Sequence, residues 1–220
     1  YGNAAVTVWV GGSGNDFVRL FSEPRAFCHL ARLLDAEETA FDMICCNDSL
    51  ALNICSVGLD ARIGTDVANY KRLPLLQGFW AYAASAVVNV VRGVSQPLRV
   101  TLCGQTRDEE MTMVCVCNGR YYGGGFYAVP EADPRDGLLD VLLAKKITRA
   151  QVPGLIGKYK AGRYKELPEY ITHYRTDRLE IHSPTSTAVN LDGELKMETD
   201  ISMSVAKEKV RFFYPKGLTW

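Results

Sequence analysis

The chain is 220 residues long, enough to bury a substantial core in one large domain or one and a half. Its 25 lysines and arginines equal its 25 aspartates and glutamates, which argues against a general nucleic-acid binder, a class marked by basic excess. Seven cysteines without a C-x-x-C pair, and His29, His173 and His182 without zinc-motif spacing, point to reduced core thiols in a cytosolic protein rather than disulfides or zinc.

In chain order, the alternating run Val6 to Val10 reads as a strand. It leads through Gly11-Gly12-Ser13-Gly14-Asn15-Asp16-Phe17 into a helix-like stretch, Asp16 to Phe21. A strand, a glycine turn and a helix start gather several backbone N–H groups at one place and favour an anion, commonly a phosphate. An ordinary tight turn is the alternative for the glycines alone. The segment is not a P-loop, since Asn15-Asp16 stand where Lys-Ser/Thr is needed. It is not a dinucleotide fingerprint, which needs glycine at Phe17, nor a nucleophile elbow, which needs glycine at Asn15.

A second helix is expected near Arg25 to Leu34. Strands follow at Phe41 to Cys46 and Leu50 to Val57, joined by Asn47-Asp48-Ser49. Ala61 to Lys71 and Gln77 to Arg92 read as helices, the latter apolar on almost every face and therefore buried. Its core, Phe79 to Val91, is too short to span a bilayer, and no signal peptide is recognised. From Leu98 the period falls to two, with strands near 98–103, 111–117, 138–144, 169–175, 178–183, 186–191, 194–198 and 204–214, and a helix near 148–160. Many strands with few crossover helices predict an α+β, β-rich fold: an antiparallel β-sandwich or barrel-like domain decorated by a few helices. Tyr1-Gly2-Asn3 opens almost directly into a strand, the pattern expected of a fragment.

Three further pieces bear chemistry. Asp192-Gly193 between alternating segments is a hairpin turn; beyond that, it can hold the carboxylates of Asp192 and Glu194 rigidly beside a site, where a carboxylate orients or deprotonates a hydroxyl. Asp133-Pro134-Arg135-Asp136-Gly137-Leu138 is either a polar turn or a set of hard oxygen donors suited to magnesium or calcium. Asn118-Gly119-Arg120-Tyr121-Tyr122-Gly123-Gly124-Gly125 is too glycine-rich for a plain strand and admits close approach of a backbone or ligand. The basic stretch Lys158 to Lys165, preceded by Lys145, Lys146 and Arg149, reads equally as a face for an anionic membrane or as a solvated helix face.

Taken in order, these pieces resemble one family. Gly12-Ser13-Gly14-Asn15-Asp16-Phe17-Val18-Arg19 is similar to the Gly-Thr-Gly-Asn-Asp-Phe-Ala-Arg segment of bacterial diacylglycerol kinases and related lipid kinases, kin of the sphingosine kinases. Gly58-Leu59-Asp60-Ala61 resembles the family's Gly-Phe-Asp-Ala segment. Asn118, Gly123 to Gly125, Pro130 and Asp136-Gly137 follow its spacing, and Asp192-Gly193-Glu194 matches its late acidic motif. The Gly-Gly-Asp-Gly-Thr motif of the family's nucleotide domain, whose aspartate is the usual candidate base, is absent from this sequence.

The resemblance therefore implies the C-terminal, lipid-side portion of such a kinase. Residues 1–22 would be the end of the nucleotide-binding domain with the glycine loop, 23–211 the β-sandwich domain, and 212–220 a return toward the missing domain, leaving Phe212 to Trp220 without a partner. It implies transfer of the γ-phosphate of Mg-ATP to a lipid hydroxyl, with diacylglycerol giving phosphatidic acid; the fragment alone is expected to be inactive. Gly12, Ser13, Gly14 and Asn15 would approach ATP, and Glu194 with Asp192 would complete the cleft. Asp133, Asp136 and the carbonyl of Leu138 match a structural magnesium site, with Asp60 in a polar network near it. Phe79 to Val91 would line an acyl pocket or simply pack in the core. The implied partners are a lipid substrate and a peripheral membrane surface at the inner face, with no nucleic acid; a homodimer stays open. A non-catalytic lipid-binding or regulatory domain of the same fold is the alternative, and an NAD kinase type fits less well because of Asp136-Gly137 and Asp192-Gly193-Glu194.

Overall fold

The structure, a computed structural model, describes residues 4–11, 14–63 and 93–220. Its strands are β1 (Ala36–Phe41), β2 (Ile44–Cys46), β3 (Ser49–Ala51), β4 (Ile54–Gly58), β5 (Gln96–Leu102), β6 (Gln105–Cys117), β7 (Tyr121–Tyr122) and β8 (Phe126–Tyr127). They continue with β9 (Leu139–Lys145), β10 (Ile171–Thr176), β11 (Arg178–Leu191), β12 (Glu194–Val205) and β13 (Val210–Pro215). Two α-helices are complete among the described residues, α1 (Leu30–Leu34) and α2 (Val152–Lys160), and a helical turn begins at 59–63.

Nine strands form one antiparallel sheet in the order β10-β9-β6-β4-β11-β12-β2-β3, with β5 paired to both β6 and β11. β4 and β5 share the slot between the two long strands. β4 lies along Met113 to Cys117 and Val189 to Leu191, and β5 along Gln105 to Met111 and Leu179 to His182. Register shifts bend β6 between Met111 and Met113 and β11 between His182 and Thr187. The sheet curls until Ile44 and Cys46 of β2 share one core with Leu139, Val141 and Leu143 of β9, although these strands stand near opposite ends of the order. This is the predicted sandwich or barrel-like architecture.

Alternation builds that core. Leu98, Val100 and Leu102 point one way along β5, while the residues between them stay polar or exposed. β9 is buried on both faces, because Leu142 lies on the side opposite Val141 and joins Cys115, Cys117, Tyr122 and Tyr159 of α2 in a second layer. All seven cysteines are free thiols.

A separate aromatic core joins residues 17–41 to 210–220. Here β1 pairs with β13, and Phe17, Phe21, Phe27 and Phe41 surround Phe212 with ring centroids 5.4 to 6.3 Å away. Trp220 packs edge-on against Phe21 and Tyr214. The expectation that Phe212 to Trp220 lacks a partner is thus corrected; the aromatic side chains of this chain itself bury it.

Other differences have local causes. Val6 to Val10 is not a strand among the described residues beyond one parallel bridge, Val6 to Phe212, on the edge of β13 that β1 leaves open. Phe17–Leu20 and Pro24–Cys28 are 3-10 turns, the second with proline at its start, rather than longer helices. The expected strand Phe41 to Cys46 breaks at Asp42, which leaves the ladder to hold another loop. The strands expected near 178–183 and 186–191 are one, interrupted by the bulge at Pro184, which has no N–H to donate. Gln77 to Arg92, and most of Ala61 to Lys71, lie outside the described residues.

Candidate functional site

Four segments distant in sequence meet at one end of the sheet, and their backbones are stitched by side chains. Asp192, at the tip of the β11–β12 hairpin with φ of 50°, turns its carboxylate onto the loop between β3 and β4. It accepts the N–H of Leu52 at 2.6 Å, of Asn53 at 3.0 Å and of Ile54 at 2.7 Å, and its own N–H donates to the Ile54 carbonyl at 3.0 Å. Asn53 carries the linkage onward. Its carbonyl accepts the N–H of Asn118 and of Gly119, both at 3.0 Å, and its side-chain amide donates to the Tyr121 carbonyl at 2.8 Å. Asn118 is buried and donates to the carbonyls of Asp42 and Leu52. A Cβ at Gly119 would stand 2.0 Å from Asn53 Oδ1, so a side chain there would displace the Asn53 amide.

The same segment reaches the first glycine loop. Gly124 donates its N–H to Asp16 Oδ2 at 2.7 Å, and Arg19 contacts the Gly14 carbonyl at 3.3 Å and Asp16 at 3.3 Å. Gly14, Asn15 and the Asp192-Gly193-Glu194 hairpin are therefore linked through 118–124 and Asn53, whereas Gly12 and Ser13 lie outside the described residues. Glu194 is exposed, and its carboxylate accepts no hydrogen bond among the described residues. Asp192 differs in kind from Glu194: three backbone donors occupy its carboxylate, so it positions the hairpin. Asn53 Oδ1 and Asn118 Oδ1 are buried acceptors without a hydrogen-bond partner among the described residues, an arrangement that favours an added donor.

Behind this cluster lies an apolar pocket, partly open to solvent. Leu59, Ile63, Met113, Phe126, Ile156 and Ile171 contribute to its apolar wall, and Asp60 is the one carboxylate among its described lining residues. Burial pushes the Asp60 carboxyl up to about 6, against the opposing hydrogen bond that Ser56 Oγ donates at 2.7 Å. Tyr122 and Tyr159, also in the lining, are hydrogen-bonded to each other at 2.9 Å. Asp60 thus sits in an apolar pocket, with Ser56 and Tyr122 as its polar partners.

The acidic loop holds its carboxylates in ion pairs. Among the described residues no three Asp, Glu, His or Cys side chains converge to hold a metal ion. Asp133 is gripped by the Arg135 fork at 3.0 and 3.1 Å, which holds its carboxyl below the usual range. Asp136 pairs with Arg175 and also accepts the Leu138 N–H at 2.9 Å. Asp133 and Asp136, expected with the Leu138 carbonyl to hold magnesium, thus have their carboxylates on Arg135 and Arg175. Asp42, which binds the Gly137 N–H at 2.9 Å, escaped the sequence reading; its signal is a lone acid inside the apolar run Phe41 to Cys46.

The basic stretch is largely ion-paired. Lys158 and Arg163 share Glu166 at 3.4 and 2.6 Å, Lys165 pairs with Glu131, and Lys146 pairs with Glu110. His173 lies between buried Asp140 at 2.6 Å and the Tyr164 hydroxyl at 3.2 Å, a packing role. No helix among the described residues is long and apolar enough to cross a membrane.

Residues 53–214 match the model of the YegS C-terminal NAD kinase beta sandwich-like domain. A Staphylococcus carnosus protein with the provisional name lipid kinase is 24% identical over 206 residues, 93% of this chain and 66% of that protein. A Staphylococcus epidermidis protein, also provisionally named a lipid kinase, is 23% identical over 95% of this chain and 68% of its own length. The chain spans about two thirds of the curated relatives it matches. A solved Bacillus anthracis structure, provisionally called a diacylglycerol kinase, superposes with a TM-score of 0.72 at 22% identity, covering 96% of this chain and 69% of that one. A second, described as a diacylglycerol kinase from the same organism, gives 0.66 at 18% identity over 98% and 68%.

Proposed function

The chain belongs to the family of the YegS C-terminal NAD kinase beta sandwich-like domain, and from that premise we propose that it is the lipid side of an ATP-dependent lipid kinase. The intact enzyme transfers the γ-phosphate of Mg-ATP to a lipid hydroxyl, with diacylglycerol the leading acceptor and phosphatidic acid its product. One observation carries the reading. The segment 118–127 is a member of the loop cluster through Gly119, Tyr121 and Gly124, and a wall of the apolar pocket through Tyr122 and Phe126. An acyl chain in the pocket then has its head group delivered to the loops, where phosphates fit.

In this reading each group has a separate task. The glycine loop around Gly14 and Asn15 offers backbone N–H groups to the phosphates, and Arg19 adds a cation beside it. Asp192 holds the hairpin so that Glu194 faces the cleft and orients the reacting groups. The hydroxyl's proton leaves to a base outside these residues, in the Gly-Gly-Asp-Gly-Thr segment that the family supplies. Phosphoryl transfer asks mainly for positioning and charge stabilisation, which suits a site without a nucleophile of its own. These 220 residues alone therefore transfer no phosphate. The enzyme works in the cytoplasm at the inner membrane face, where its acyl-tailed acceptor resides.

The test is transfer of labelled γ-phosphate from ATP to a mixed lipid extract by the full-length gene product, with Glu194→Ala in parallel. Labelled lipid that vanishes with the substitution supports the proposal and identifies the acceptor by its mobility. A folded, ATP-binding protein that labels no lipid contradicts it.

A further inference from the structure

The loop between β8 and β9 is held by charges that belong to the chain. Asp42, only 1% exposed, donates its N–H to the Pro134 carbonyl at 2.7 Å and accepts the Gly137 N–H at 2.9 Å. Its other oxygen lies 2.9 Å from the Lys209 ammonium, which also donates to the Arg135 carbonyl at 3.3 Å. One ammonium thus bridges a buried carboxylate and a loop carbonyl, the hard oxygen donors a divalent cation collects. On the far side of the loop Arg175 pairs with Asp136 and lies 3.6 Å from Asp140, which is 2% exposed and also bound by His173. The Arg135 guanidinium, locked on Asp133, stacks 4.8 Å over the Trp220 ring. Every carboxylate of the loop is accordingly matched by a fixed cation.

We infer that the loop Asp133 to Leu138 is closed by Lys209 and Arg175 in the place where the family resemblance implies magnesium, so that the domain's stability is independent of divalent metal. A divalent ion on Asp133 and Asp136 would displace the guanidinium groups of Arg135 and Arg175, and would meet their positive charge while doing so. This inference stands on the loop's ion pairs and does not depend on the lipid kinase reading.

The test is thermal unfolding of the protein in EDTA and in excess Mg2+ or Ca2+, together with Lys209→Met, Lys209→Arg and Arg175→Gln. The parent should melt at the same temperature with and without metal. Lys209→Met should melt roughly 5–15 °C lower, as expected when one partner of a buried pair is removed, and Lys209→Arg should recover most of the loss. A parent whose melting temperature climbs saturably with added metal overturns the inference. So does a Lys209→Met protein as stable as the parent. If Lys209→Met does not fold, the parent's response to metal still decides, and a metal titration of the parent by calorimetry, expected to release no binding heat, decides it independently.

Discussion

Replacing Asp192 tests how the cluster is assembled. Its carboxylate accepts three backbone N–H groups of the β3–β4 loop, at 2.6, 3.0 and 2.7 Å, across a sequence separation of about 140 residues. A hydrogen bond to a charged acceptor contributes about 1.5–3 kcal/mol net, and water at the exposed hairpin tip replaces part of what is lost. Asp192→Ala should therefore cost about 3–4 kcal/mol, of which roughly 1 kcal/mol is alanine strain at a φ of 50°. Asp192→Asn tolerates that backbone conformation and keeps one acceptor oxygen, so about 1–2 kcal/mol is expected. Urea unfolding of both variants, read at constant m, measures these differences directly. If Asp192→Ala stays within about 0.5 kcal/mol of the parent, the carboxylate does not hold the loop and the assembly described here is wrong.

Two further substitutions probe the neighbourhood. Asp60 has its carboxyl raised from 3.8 to about 6, so the folded state binds a proton more tightly than the unfolded chain. Its contribution is most favourable below pH 4, declines as pH rises toward 6 and is flat above, a fall of up to about 3 kcal/mol. Asp60→Asn should therefore be the more stable protein at pH 7 and lose that advantage near pH 4; unfolding at both pH values checks the sign. Gly58 has φ of 103°, and a Cβ there would stand 2.6 Å from the Thr112 carbonyl. Gly58→Ala should be destabilised by about 3 kcal/mol or more, visible as a lower urea midpoint.

Much of the β architecture was legible because antiparallel strands with one buried face print a period of two. β5 and β9 lie within two residues of the expected strands, and the Asp192-Gly193 turn stands where its residue types place it. What the sequence hid is long-range. No local pattern tells that the Asp192 carboxylate serves Leu52 to Ile54, or that Lys209 closes a loop some seventy residues upstream. Nor does local spacing tell that Arg175, on a different strand, pairs with Asp136. Val6 to Val10 alternates like a strand, yet among the described residues it pairs only through the bridge from Val6 to Phe212. The glycine-rich 118–125 segment was readable as a place of close approach, and Gly119 against Asn53 is that approach.

The central claim is that the apolar pocket holds the lipid tail while the loops beside it handle phosphate. Ile156 lies on α2, lines the pocket and is 44% exposed, so Ile156→Glu can place a charge at the pocket without unfolding the protein. The most direct measurement is steady-state phosphorylation of diacylglycerol in mixed micelles by the full-length enzyme and this variant, with equal melting temperatures as the control. The account predicts a KM for the lipid raised about tenfold or more, the equivalent of about 1.4 kcal/mol, with KM for ATP unchanged. An unchanged lipid KM, or an equal loss toward ATP, would contradict it.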